Sequence, residues 1–136
     1  MKKFIKLISV ALLTVFTALC FTACVPSTAE KAAEKFQDIK YNYDKTYVNP
    51  DDFERNELLL GYGLHGIQET ATKFRAWYED EEITVFYFAN TADADRFYKE
   101  YVEYKYNNNP ELWEKISKQG KMVCYGSINA YKAFSK

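Results

Sequence analysis

The feature that most limits the fold is an uncharged apolar run of 19 residues, Leu7–Val25, near the start of the chain. It follows a short basic segment that carries Lys2, Lys3 and Lys6. A basic segment followed by an apolar stretch with a small residue at its end is typical of a secretory signal, which is not part of the mature fold. We therefore expect the folded domain to be built from the residues after this run.

The end of the apolar run resembles the lipobox of bacterial lipoproteins. Phe21-Thr22-Ala23-Cys24 places a small residue directly before a cysteine. The resemblance implies that Cys24 carries a diacylglyceryl lipid and becomes the first mature residue after cleavage of the Ala23–Cys24 bond. It also implies an anchor in the cell membrane, with the domain on the extracytoplasmic face. No cofactor other than this lipid is predicted.

An uncleaved membrane-spanning helix is the alternative, because about 18 or more apolar residues can cross a bilayer. The three lysines before the run would then hold the N-terminus in the cytoplasm, as the positive-inside rule requires. Both interpretations place residues 25–136 outside the cytoplasm.

Loss of the signal changes the charge balance of the chain. Lys+Arg falls from 18 to 15 against 19 Asp+Glu, so the mature net charge is −4. Nucleic acids and anionic lipid headgroups both favour a basic protein face. We therefore expect neither nucleic acid nor anionic headgroups as a partner of the domain.

The residues that remain have the composition of one globular domain. All 12 tyrosines and both tryptophans lie after the signal, an aromatic content that disordered chains lack. A chain of this length forms a single domain. With Cys20 removed and Cys24 acylated, Cys124 is the only thiol left, so no internal disulfide is expected.

Hydrophobic periodicity and capping residues divide the mature chain into a tether and a domain. Residues 24–48 are predicted as a lipidated, partly helical tether, and residues 49–136 as a single globular domain. The domain is predicted to begin with a helix from Asn49 to about Leu60, followed by strands at 72–79 and 82–88 that are joined by a turn at Asp80-Glu81. Two helices are predicted next, one from Asn90 that carries Phe97 and Tyr101 and a short one with Leu112, Trp113 and Ile116. A strand at 121–125 and a last helix capped by Ser127 complete the predicted domain.

These elements predict an α+β fold, with a small antiparallel sheet of about three strands and helices packed on one face. Residues 67–79 also have helical spacing, so a helix is the alternative to a strand there. The order hairpin, helix, strand, helix over roughly residues 65–136 resembles small lipoproteins of Gram-positive bacteria. That resemblance implies no activity.

The string Gly61-Tyr62-Gly63-Leu64-His65-Gly66 has the glycine spacing of dinucleotide-binding turns. Such a turn also needs a strand before it, a helix after it and an acid about 20 residues on. The strand Ile83–Asn90 ends without an acid, so we interpret the glycines as a helix stop and turn. His65 is the sole histidine and is interpreted as a surface residue, because a zinc site needs three or four ligands. No metal site is predicted.

No catalytic residue is predicted from the thiol or the carboxylates. Cys124 lies in the middle of a strand and is interpreted as a small buried hydrophobe. The acidic groups Glu79–Glu82 and Asp93/Asp95 lack the spacing of a calcium loop, and we interpret them as a solvated hairpin tip and helix start. A hydrolase with paired carboxylates stays an alternative, since it depends on a cleft.

The number of tyrosines exceeds what a core of this size should absorb, which predicts an interaction surface. Tyrosine is favoured at interfaces because it offers apolar area and a hydrogen bond together. Tyr101, Tyr104 and Tyr106 are the candidate binding face; the alternative is that the tyrosines cover the sheet. We predict a membrane-tethered, non-enzymatic binding module that contacts an envelope protein, peptide or glycan. An accessory role beside a membrane complex is a further alternative.

Overall fold

The computed structural model describes residues 25–55 and 63–136, and within them five strands form one antiparallel sheet. The strands are β1 (Asn42–Val48), β2 (Ala71–Tyr78), β3 (Glu81–Tyr87), β4 (Lys115–Gln119) and β5 (Met122–Gly126), in the spatial order β1-β2-β3-β5-β4. The helices are α1 (Ala29–Gln37), α2 (Pro50–Glu54), α3 (Thr91–Phe97), α4 (Tyr104–Asn108) and α5 (Ile128–Ser135), and a π-helical segment (Tyr98–Glu103) joins α3 to α4.

Part of the sequence-based prediction falls outside these residues. The signal segment lies there, with Ala23 and Cys24, and so does the end of the helix predicted to reach Leu60. Within the two described stretches, no helix is long and apolar enough to cross a membrane.

The sheet is covered by helices on both faces, so the α+β class is confirmed and the prediction of about three strands with one covered face is wrong. Side chains of β3 alternate between two cores. On one face, α1 and α5 pack over a core that includes Phe36, Phe74, Ile83, Val85 and Phe134. On the other, α2, α3 and the π-helical segment pack over Phe53, Phe86, Phe88, Phe97 and Tyr101. A central strand buried on both faces has a nearly continuous apolar sequence, as β3 does.

The segment predicted as a tether belongs to the domain. Ala29, Ala32 and Phe36 of α1 are at most 2% exposed, because two alanines on one stripe let the helix approach the sheet closely. β1 pairs with β2 along its whole length, from Asn42↔Trp77 to Val48↔Ala71. Residues 29–48 therefore supply a core helix and an edge strand rather than a spacer.

The short helix predicted around Leu112, Trp113 and Ile116 is also wrong. Residues 115–119 form β4, which pairs with β5 through a turn that contains Gly120 at φ +57°. The positive φ at this turn suits glycine, which has no Cβ to clash with the backbone. Helical spacing over three apolar residues is too short a pattern to exclude a five-residue strand.

The structure confirms the predicted β2–β3 hairpin and the predicted caps of two helices. Residues 71–78 form a strand rather than a helix, although the turn lies at Glu79-Asp80, one residue earlier than predicted. The Asn90 side chain accepts a hydrogen bond from the Asp93 N–H at 2.7 Å and caps α3. Ser127 caps α5, as expected for a serine at this position.

The prediction that Asp93 is a solvated residue at the start of a helix is wrong with respect to its burial. Its side chain is buried, with the residue only 1% exposed. The carboxylate accepts hydrogen bonds from the backbone N–H groups of Gln68 and Glu69, at 3.0 Å each. Asp93 thus joins the loop before β2 to the start of α3, whereas exposed Asp95 forms an ion pair with Lys118 at 2.6 Å.

Candidate functional site

A cleft of about 450 Å³ opens at the end of the sheet where β3 begins and β5 ends. It is bordered by those two strand ends, by the segment 111–114, by the turn between β2 and β3, and by the start of α5. Its lining residues are Asp80, Glu81, Glu82, Thr84, Glu111, Leu112, Trp113, Glu114, Tyr125, Gly126, Ser127 and Asn129. These residues come from three distant parts of the chain, which the sheet brings together.

Two aromatic rings form the apolar part of the cleft. The ring centroids of Trp113 and Tyr125 are 4.2 Å apart. Tyr101 packs edge-on against both rings from the core, at 6.1 and 6.4 Å. Because buried rings support it from below, the Trp113–Tyr125 pair is held in place before any ligand arrives.

The segment that carries Trp113 is held by hydrogen bonds at both of its ends, to the end of α4 and to β5. Leu112 N–H donates to the Asn109 carbonyl at 3.0 Å, and Glu114 N–H donates to the Gly126 carbonyl at 3.0 Å. The Glu114 carboxylate accepts from Ile128 N–H at 2.7 Å, at the positive end of α5. This wall of the cleft is therefore an ordered part of the fold.

Five carboxylates line the cleft, and no Lys, Arg or His is among its lining residues. Three of the carboxylates, those of Glu81, Glu82 and Glu114, bind partners within the protein. Glu82 forms a two-point ion pair with Arg75, at 3.0 and 3.1 Å, and Glu114 caps α5. Within the described part of the chain, Asp80 and Glu111 form no hydrogen bond or ion pair. Their charges are therefore available to a ligand.

Glu81, the remaining carboxylate, is held by a tyrosine from outside the cleft. The hydroxyl of Tyr41 donates a hydrogen bond to Glu81, and the Asn129 side chain donates another at 3.2 Å. The bond from Tyr41 is the main reason that the pKa of Glu81 lies below its ordinary value. Burial, together with the same bond, raises the pKa of Tyr41. Glu81 thus stays ionised to lower pH than a free glutamate.

We expect Tyr41→Phe to raise the pKa of Glu81. The phenyl ring keeps the packing against Phe36, whose ring lies 5.3 Å away, but the hydrogen bond is lost. Because the pKa of Glu81 is lower in the folded than in the unfolded protein, its ionisation stabilises the fold at pH values above the unfolded pKa. This contribution to the free energy of unfolding is lost as the pH falls through the folded pKa. The variant should therefore lose less stability than the wild type on acidification below about pH 4.5. Carboxyl NMR titration checks the pKa, and an unchanged value would contradict the assignment.

The predicted binding face is not assembled as one exposed patch. Tyr101 is 2% exposed and lies in the core, so its ring supports the cleft from beneath. Tyr104 is 52% exposed, and Tyr106 is half-buried. The sequence pattern does not bring the two cleft aromatics together, because it places Trp113 in a helix and Tyr125 at the end of a separate strand. The signal in the sequence is Trp113 standing between glutamates, shortly after the turn-forming Asn109-Pro110.

The structure keeps the other candidate residues away from the cleft. Cys124 is completely buried, and this burial raises the pKa of its thiol to about 12. His65 is exposed, and its imidazole faces Glu54 at 3.4 Å rather than the thiol. Gly63 and Gly66 lie in an irregular segment that leads into β2, so no helix follows them as a phosphate-binding turn requires.

Among residues 25–55 and 63–136, no group of three or more His, Cys, Asp or Glu side chains is arranged to hold a metal ion. Comparison of the chain with protein-family models, with curated proteins and with solved structures gave no match.

Proposed function

We propose that this protein is a membrane-tethered binding module whose cleft holds a cationic partner, a peptide or protein segment with Lys or Arg side chains. The observation that carries this proposal is the pairing of an aromatic surface with five carboxylates in one cleft. Carboxylates attract ammonium and guanidinium groups, and the faces of Trp and Tyr rings bind the same cations. The aromatic pair also supplies apolar area for the methylene groups of a long basic side chain.

The carboxylates support binding better than hydrolysis. A glycosidase needs a general acid whose pKa is raised so that it keeps its proton. In the described residues, the carboxyl groups with displaced pKa values are Glu30, Glu81 and Asp95, and all three are lowered. Glu82 and Glu114 are committed to Arg75 and to α5. Glu81, the cleft carboxylate whose pKa is lowered, is therefore a poor proton donor, and a negative charge there favours a cationic ligand.

In this proposal a lipid on Cys24 attaches the protein to the membrane. We expect Cys24→Ala to abolish labelling of the protein by a radioactive or alkyne-modified fatty acid and to release the protein from the membrane fraction. Cys20→Ala is the matched control, because the bulky Leu19 precedes Cys20, and it should leave both properties unchanged. Lipid labelling that survives in the Cys24→Ala protein would place the lipid elsewhere.

The cleft is tested with variants that remove charge without removing a structural bond. Asp80→Asn combined with Glu111→Gln should weaken binding of a tetralysine peptide about tenfold, since each close charge pair contributes about 0.7 kcal/mol at a solvated site. Isothermal titration calorimetry measures the dissociation constant, which should also rise with salt concentration. Glu34→Gln combined with Glu103→Gln is the control, because these exposed residues do not line the cleft.

Two outcomes would contradict the proposal. Equal weakening by the control pair would show that only net charge attracts the peptide. No peptide binding, together with turnover of a cell-wall oligosaccharide that is lost in the Asp80/Glu111 variant, would favour the hydrolase alternative.

A further inference from the structure

The chain is attached to the domain from the first described residue onward. Val25 packs against the core under α1 and α5, and the Tyr87 hydroxyl donates a hydrogen bond to the Pro26 carbonyl at 2.9 Å. Thr28 then caps α1, accepting from Lys31 N–H at 3.2 Å. Val25 directly follows Cys24, so a lipid on Cys24 is separated from a packed residue by one peptide bond. No flexible spacer remains to lift the domain from a bilayer.

The attachment point lies at one end of the sheet. Tyr87 is the last residue of β3 and pairs with Met122, the first residue of β5. A groove of about 280 Å³ at this end is lined by Val25, Pro26, Ser27, Tyr87, Phe88, Gln119, Lys121 and Met122. Half-buried Val25 and buried Pro26 thus line one groove with Gln119, the last residue of β4, and with Lys121 of the following turn. Gln119, Lys121 and Gly120 between them are exposed. We call these five residues the anchor face.

The acidic cleft lies at the opposite end of the same strands. β3 runs from Glu81, which lines the cleft, to Tyr87, which contacts the anchor segment. Six residue steps along an antiparallel strand span roughly 20 Å. β5 repeats this arrangement, with Met122 near the anchor and Gly126 in the cleft. The two ends are therefore separated by the length of the sheet.

We propose that the anchor face rests directly on the lipid bilayer and that the cleft opens away from it, roughly 20 Å above the surface. This inference rests on the proposed lipidation of Cys24. Charge favours the same orientation: the anchor face presents the amine of Lys121, whereas five carboxylates surround the cleft. The acidic domain as a whole is not attracted to anionic headgroups, but these repel carboxylates within about a Debye length of the surface, so the cleft end is the end that turns away.

The test uses the full, lipidated chain on vesicles of phosphatidylcholine and phosphatidylglycerol that contain a lipid with a headgroup quencher. A fluorophore is attached at Gln119→Cys, on the anchor face, or at Asp80→Cys, at the cleft. Selective labelling is feasible because Cys124 is buried and its thiol pKa is about 12. We expect several-fold stronger quenching at position 119 than at position 80. Equal quenching at both positions, or stronger quenching at position 80, would overturn the orientation.

A flexible Gly/Ser insertion between Cys24 and Val25 is the matched variant. It should keep vesicle binding but reduce quenching at position 119, because the domain is then free to leave the surface. Vesicle binding without quenching at either position in the uninserted protein would show a domain held away from the bilayer, and would overturn the inference alone. Absence of both lipid labelling and vesicle binding would overturn the proposed anchor, and the orientation with it.

Discussion

Replacement of Gly126 by alanine is expected to lower the free energy of unfolding by about 4 kcal/mol, from steric overlap and backbone strain together. Gly126 is at φ +154°, and an added Cβ would lie 2.1 Å from the carbonyl oxygen of Glu82 and 2.8 Å from the Cα of Ile83. Both are backbone atoms of β3, so relief requires β3 and β5 to separate. Urea unfolding followed by circular dichroism measures the loss.

Gly120→Ala is the matched control for this prediction. Gly120 also has a positive φ, +57°, but nothing lies within 4 Å of the added Cβ. Only the cost of a left-handed alanine applies, about 1 kcal/mol. If Gly126→Ala is no more destabilising than Gly120→Ala, the close approach of Gly126 to β3 does not limit the fold. Because the Gly126 carbonyl also accepts from Glu114 N–H, the Gly126 variant should additionally weaken peptide binding in the cleft.

Asp93→Ala is expected to lower the free energy of unfolding by about 3 kcal/mol, because two backbone N–H groups and a side-chain amide lose a buried, charged acceptor. The carboxylate accepts from Gln68 N–H, Glu69 N–H and the Asn90 side chain, at 3.0 to 3.1 Å. The Asn90 amide also donates to the Glu69 carboxylate at 3.1 Å, so the loss falls mainly on the two backbone N–H groups. Urea unfolding gives the total loss, and hydrogen exchange should show faster exchange at the Gln68 and Glu69 amides.

Two further substitutions distinguish the effect of the buried hydrogen bonds of Asp93 from the effect of a negative charge at the start of the helix. Asp93→Asn keeps one acceptor oxygen and should cost less than alanine. Asp95→Asn removes a carboxylate from the same turn, where it forms an exposed ion pair with Lys118, and should change stability little. Equal losses for the Asp93 and Asp95 variants would attribute the effect to the helix dipole rather than to the buried hydrogen bonds.

The elements that the sequence predicts correctly are those with local signals. Asn90 and Ser127 cap their helices with a side chain that bonds a backbone N–H three residues later. The β2–β3 hairpin follows from alternating apolar residues around an acidic turn, since neighbouring strands need no distant partner. The edge strands β1 and β4 were assigned to a tether and to a helix. Each becomes a strand only by pairing with β2 or β5, and short polar strands carry weak patterns of their own.

The candidate site is a tertiary feature for the same reason. Asp80 lies in a turn, Glu111 and Trp113 lie in a loop, and Tyr125 lies at a strand end. No spacing in the sequence relates these residues, and Asp80 and Glu111 come to line one cleft with the two rings only through the order of strands in the sheet. For Asp93, the predicted position at the start of a helix is correct. Its burial, however, depends on the loop before β2, which folds over it.

The sequence by itself determined an acidic, aromatic α+β domain after an apolar run of residues, because charge, periodicity and caps are properties of neighbouring residues. Only the tertiary structure decided that helices cover both faces, that the segment after Cys24 packs into the core, and that one cleft collects five carboxylates around Trp113 and Tyr125. These features depend on contacts between residues far apart in the chain. Strand pairing selects such contacts, and no local pattern encodes them.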